Sequence, residues 1–208
     1  MLLSVWAAAC LTGFLILWDY SFTPGETEEA PLKIPAEFQD GRFTLLMSIH
    51  PRCPCSKASL AELSRILAKT KSMMGVSILV YIPKGEQREW QNGSLLNEAK
   101  SIPDVSLFSD ENGKIAESLG MTTSGAVCLY DKDGKLRYSG GITASRGHEG
   151  DNHGKSIILS QVFGKTKGIS AKVRTTRARI SMPMEKRILK YDSGICLKPW
   201  LQAKPRLN

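Results

Sequence analysis

The sequence predicts an α/β fold, a mixed sheet flanked by helices, preceded by one apolar helix. Three observations carry this. Apolar runs of strand length alternate with stretches of helical periodicity through residues 43–119. Two further strand-like runs, 126–130 and 136–142, flank Asp131-Lys132-Asp133-Gly134, a hairpin turn signal. Residues 2–18 are uncharged, mostly apolar, and reach the lower edge of membrane-spanning length. Crossover helices between the early strands require parallel neighbours, and the final hairpin adds antiparallel ones.

The elements follow in order. Residues 2–18 fit an uncleaved membrane anchor, with Trp6, Trp18 and Tyr20 suited to the interfaces. No Lys or Arg precedes the run, so the basic start of a secretory signal is missing. A cleaved signal stays open, because Ala7-Ala8-Ala9-Cys10 resembles a lipoprotein cleavage site placed very early. An apolar segment packed on the domain is the third reading. Residues 19–37, with Pro and Glu and no apolar periodicity, read as a linker. A first strand is expected over 43–49. A helix follows over 56–72, starting near residue 54, with Leu60, Leu63, Ile66 and Leu67 on one buried face. A buried strand over 75–82 is stopped by Pro83. A helix over 86–100 is weakened by Asn92-Gly93. A short strand over 105–108 and a short helix over 112–119, ended by Gly120, lead to the hairpin. A helix over 155–163 closes the domain, which spans 38–163.

The chain has 208 residues, enough for one domain plus appendages, and a net charge of +8. That charge belongs to the tail. Residues 165–208 carry 12 Lys/Arg against 2 Asp/Glu, and the rest of the chain is slightly acidic. The segment 164–208 reads as a basic, disordered extension, and no nucleic-acid partner is expected. After the apolar run come Asp19, Glu26, Glu28 and Glu29, with no basic residue until Lys33. Basic residues mark the cytoplasmic side, so the main domain is expected to face outward, in the periplasm.

Five cysteines, at 10, 53, 55, 128 and 196, do not read as a disulfide framework. Cys128 lies in an apolar strand and reads as a small core residue. Cys53 and Cys55 alone are close enough for joint chemistry. They sit where a strand hands over to a helix N-terminus, in His50-Pro51-Arg52-Cys53-Pro54-Cys55-Ser56. Unpaired N–H groups and the helix dipole stabilise a thiolate there, so Cys53 is expected in the first helical turn as a redox nucleophile. His50 stands three residues before it, either raising the thiolate fraction, adding a ligand, or merely ending the strand.

These segments resemble the thioredoxin-like proteins of the peroxiredoxin and TlpA type, and within them the bacterial group called RedB. The likeness rests on residues 50–63, 110–119 and 123–152 and covers about residues 38–163. Aligned on Cys-x-x-Cys, Cys53 takes the nucleophile position and Ser56 the resolving one; Lys57 and Leu63 fall where a basic residue and a Leu belong. Cys55 is then an extra thiol inside the motif, and the available resolving partner. The position of the family's cis-proline falls on Gly125, so the Ser124–Gly125 peptide is expected to be trans. Glycine there leaves room for a substrate chain or a cofactor to approach.

The loop 143–154 holds Arg146, His148, Glu149, Asp151 and His153. Strand pairing would bring it out beside Gly125, which makes Arg146 and His148 candidates at an active-site rim. A solvated loop is the plain alternative. Three functions follow. The first is extracytoplasmic thiol–disulfide exchange, with no cofactor and a protein or small-molecule thiol or disulfide as partner. The second is copper binding through Cys53, Cys55 and His50, soft ligands suited to Cu(I). Copper-delivering relatives carry a further His before the hairpin strand, where this chain reads Met121-Thr122-Thr123-Ser124-Gly125. The third is a binding module of the same fold without turnover.

Overall fold

The computed structural model describes residues 2–22, 28–85, 90 and 93–164. The expected basic tail lies outside them, apart from Gly164.

An N-terminal helix, α1 (Leu2–Phe22), comes first. It is longer than the run expected from sequence, and long and apolar enough to cross a membrane. Its apolar side chains, Leu3, Trp6, Leu11, Leu15 and Trp18 among them, are exposed. They are not laid on the domain, which removes the reading of this segment as part of the core.

The domain is built on five strands: β1 (Phe43–Ile49), β2 (Met74–Ile82), β3 (Val105–Glu111), β4 (Ala126–Tyr130) and β5 (Leu136–Gly141). Their order in the sheet is β3-β2-β1-β4-β5. β2 pairs parallel with both β1 and β3, whereas β4 pairs antiparallel with β1 and β5. The central strand is buried from Thr44 to Ile49, on both faces, which is why its sequence is continuously apolar rather than alternating. The helices are α2 (Cys55–Thr70), α3 (Ser94–Ser101), α4 (Lys114–Ser118) and α5 (His153–Val162). Leu60, Leu63 and Ile66 of α2 are fully buried, as the periodicity requires.

The hairpin forms as its residues dictate. Asp131 Oδ1 accepts the N–H groups of Asp133 and Lys135, both at 2.9 Å, and so closes the turn. β3 runs three residues past its expected end because Ser109, Asp110 and Glu111 keep pairing with β2. Asp110 then caps α4, accepting from Ile115 and Ala116 N–H at 2.8 and 2.9 Å. α5 seats closely on β5: a Cβ on Gly154 would collide with the Gly141 carbonyl oxygen. Glycine alone permits that approach.

Part of the stretch expected as a linker lies on the domain. Glu28 N–H donates to Gly120 O, Ile34 N–H donates to Gly134 O, and Leu136 N–H donates to Leu32 O. Ile34 and Phe38 are buried. Three backbone bonds and two apolar side chains hold this segment without any periodic pattern.

Candidate functional site

β1 ends at Ile49, and residues 50–54 turn the chain into α2. The turn is closed by backbone bonds: Cys53 N–H donates to His50 O at 2.9 Å, and Ser56 N–H to Cys53 O at 3.0 Å. Cys53 therefore precedes the helix rather than lying in its first turn. The first helical residue is Cys55, with Pro54 as N-cap. Proline offers no side-chain acceptor, and no cap bond forms. The first-turn N–H groups remain in need of an acceptor, and the Cys53 sulfur provides one.

Four donors converge on that sulfur. The Cys55 thiol contributes most. The backbone N–H of Cys55, the Ser56 hydroxyl and the Ser56 N–H follow, and together they outweigh the burial that opposes ionisation. The Cys53 pKa comes down from 9.0 to about 6. Cys53 and Cys55 are both partly exposed free thiols. A partly exposed sulfur that is ionised near neutrality, with a second thiol in hydrogen-bond contact, can attack a disulfide and then be attacked in turn.

Ser56, aligned with the family's resolving position, is fully buried. Its Oγ lies 2.5 Å from Ser124 Oγ. Ser124 Oγ also accepts the His50 backbone N–H at 2.8 Å. These bonds bring the loop before β4, with Gly125 next to Ser124, to the motif. The Ser124–Gly125 peptide is trans, and Gly125 holds φ +89°. Its N–H donates to Ser48 O at 2.7 Å and extends the β1–β4 pairing. A left-handed residue joined to a strand end calls for glycine.

The His50 ring turns toward the β2 side. It stacks on Tyr81, with centroids 5.2 Å apart, and meets Trp90 edge-on at 5.2 Å. The Arg52 guanidinium covers Trp90 at 4.3 Å. Sequence reasoning missed Tyr81 and Trp90, which only the fold brings together. Among the described residues, no group of three His, Cys, Asp or Glu side chains is arranged to hold a metal ion.

The loop 143–152 follows β5 as the topology requires. Arg146 is half-buried; His148 is exposed, with Nδ1 2.7 Å from Arg146 O. The loop's polar ties run to the middle of α2. Buried Glu62 accepts Gly150 N–H at 2.7 Å and pairs with Arg65 and with Lys155 Nζ at 3.0 Å. Arg65 reaches on to Glu149. These bonds hold the Glu62 carboxyl below its usual value against the opposing effect of burial. Glu62 was also missed, although its signal was local. It lies three residues after Ser59 and four before Ile66, on the buried face of α2.

No protein-family model matches the sequence, and no curated protein matches it. Solved structures do. A hypothetical protein from Sinorhizobium meliloti is 19% identical over 78% of this chain and 93% of that one, with a TM-score of 0.49. A secreted disulfide oxidoreductase from Mycobacterium tuberculosis is 17% identical, covering 62% and 85%, at 0.40. A SCO1/SenC family lipoprotein from Bacillus anthracis is 12% identical, covering 62% and 83%, at 0.45. The fold is thioredoxin-like. Its sheet order, its strand senses and the position of the cysteine motif between β1 and α2 say so directly.

Proposed function

We propose that this protein exchanges thiols and disulfides outside the cytoplasm, with Cys53 as nucleophile and Cys55 as resolving thiol. The observation that supports it is the set of four donors on a partly exposed Cys53 sulfur. The Cys53 thiolate attacks a substrate disulfide, forms a mixed disulfide and expels one substrate thiolate. The Cys55 thiolate then attacks the Cys53 sulfur and releases the second. The protein ends as Cys53–Cys55 disulfide and the substrate as dithiol; the reverse sequence delivers a disulfide. A thiolate stabilised in the reduced protein favours the reverse, oxidising direction.

We read α1 as a single membrane anchor, residues 28–163 as the redox domain and residues 164–208 as a basic extension. The acidic residues after α1 support the reading of the domain on the outer, periplasmic face. Partners are protein or small-molecule thiols and disulfides, met at a rim that includes Pro54, Gly125, Arg146 and His148. Within the thioredoxin-like proteins, we read the chain as nearest the RedB group.

Mild oxidation of the full chain in detergent, with disulfides mapped by mass spectrometry, tests this reading. An intramolecular Cys53–Cys55 link, absent in Cys55→Ser, is expected. Lasting glutathione adducts on Cys53 in both proteins would remove Cys55 from the reaction. An inert Cys53 would overturn the reading.

A further inference from the structure

Two hydroxyls far apart in sequence meet behind Cys53. Ser56 opens α2, Ser124 precedes β4, and both are buried. Three contacts form a line: His50 N–H to Ser124 Oγ at 2.8 Å, Ser124 Oγ to Ser56 Oγ at 2.5 Å, and Ser56 hydroxyl to Cys53 sulfur.

One assignment of protons satisfies all three. A backbone N–H only donates, so His50 donates to Ser124. A thiolate only accepts, so Ser56 donates to Cys53. The bond between the two serines must then take its proton from Ser124. We propose that Ser124 is a positioning residue, which donates to Ser56 and so holds the Ser56 hydroxyl on the Cys53 sulfur. This rests on the reading of Cys53 as a thiolate nucleophile.

The line has a fixed direction only while the sulfur is anionic. Once Cys53 is in a disulfide, its sulfur is a weak acceptor, and the Ser56 hydroxyl is free to donate to Ser124 instead. Ser124 thus favours the thiolate over the disulfide and makes any disulfide of Cys53 more oxidising. Sequence spacing hides this, because 68 positions separate the two serines.

The test is the pH dependence of Cys53 alkylation, followed by mass spectrometry of the Cys53 peptide in the full chain. It compares wild type with Ser124→Ala, Ser124→Thr, Ser56→Ala and the double alanine variant. Ser124→Ala should slow alkylation near pH ~6 by roughly twofold to fivefold, a pKa rise of up to about one. Threonine keeps the hydroxyl and should restore most of the rate. Ser56→Ala should lose at least as much as Ser124→Ala, and the double variant no more than Ser56→Ala, because Ser124 acts through Ser56. An unmoved profile in Ser124→Ala or in Ser56→Ala overturns the proposal, as does an additive loss in the double variant. Should Ser124→Ala fail to fold, the Ser56→Ala and Ser124→Thr profiles decide. A wild-type Cys53 with an ordinary thiol pKa defeats the underlying reading instead, so the two failures are distinguishable.

Discussion

Cys53 and Cys128 are the same functional group in one small fold, and their surroundings drive them in opposite directions. Cys53 is brought down to about 6, and burial pushes Cys128 up to about 12. Cys128 lies in β4 with no exposure, between two paired strands. The backbone N–H groups around it are spent on the ladder. Its own S–H reaches Leu119 O at 3.6 Å and Ser139 Oγ at 3.8 Å, and among the described residues no cation lowers its pKa against the cost of desolvation. Cys53 has the Cys55 thiol as its chief donor and stands just ahead of a helix whose first N–H groups have no intrahelical partner. A helix start has donors to give, and a sheet interior does not. The same five-stranded scaffold therefore keeps one thiol inert and arms another.

The largest effect that can break this contrast is in alkylation. At neutral pH the thiolate fractions of the two cysteines should differ on the order of 10⁵-fold, and folded-state labelling should follow. Iodoacetamide labelling of the native chain, read peptide by peptide, checks this; comparable rates at Cys53 and Cys128 would contradict it.

The middle of α2 sharpens the contrast. There Glu62 is also buried and charged, but paired with Lys155, whose side chain is 9% exposed. Lys155→Met leaves the carboxylate with Arg65 and Gly150 N–H but without its buried cation, and unfolding should be easier by about 1–3 kcal/mol. Denaturant melts measure the loss, and the Cys53 alkylation profile should stay put. A Cys53 profile that moved with Lys155 would show that the loop network, not the helix start, sets the thiol. The Glu62 carboxyl is lowered on folding, so its contribution is full above its ordinary range and is lost as acid protonates it.

A further effect comes from linkage at Cys53 itself. Its folded pKa lies below the unfolded value of 9.0. The reduced chain should gain stability relative to Cys53→Ala as pH rises from about 6 toward about 9, and lose that gain as pH falls through about 6. Melts of both reduced proteins across this range give the slope; parallel curves would contradict it.

Much of this was legible in the sequence. Apolar spacing on α2, the continuous apolar run of β1 and the Asp131–Gly134 turn each carry local physics that survives into the fold. Cys53 and Cys55 were legible because a cysteine pair between a strand and a helix start is rare without a purpose. Ser124 was not legible as a partner, since its meeting with Ser56 depends on β4 lying beside β1. Residues 28–34 were misread because three backbone bonds, rather than a pattern of side chains, hold them down. Glu62 could have been found: an acid on the apolar face of a helix demands a partner. The tyrosine and tryptophan around His50 needed the β2 register to come together.

The central claim is that helix-start donors ionise Cys53. The direct measurement is a titration of Cys53, by ultraviolet thiolate absorbance of the reduced chain that keeps only Cys53 and Cys55, read as the difference from the same chain carrying Cys53→Ala. A midpoint near 6, returning toward 9 in denaturant, is the predicted result. A folded-state midpoint at or above the ordinary thiol range of about 8.5 would contradict it.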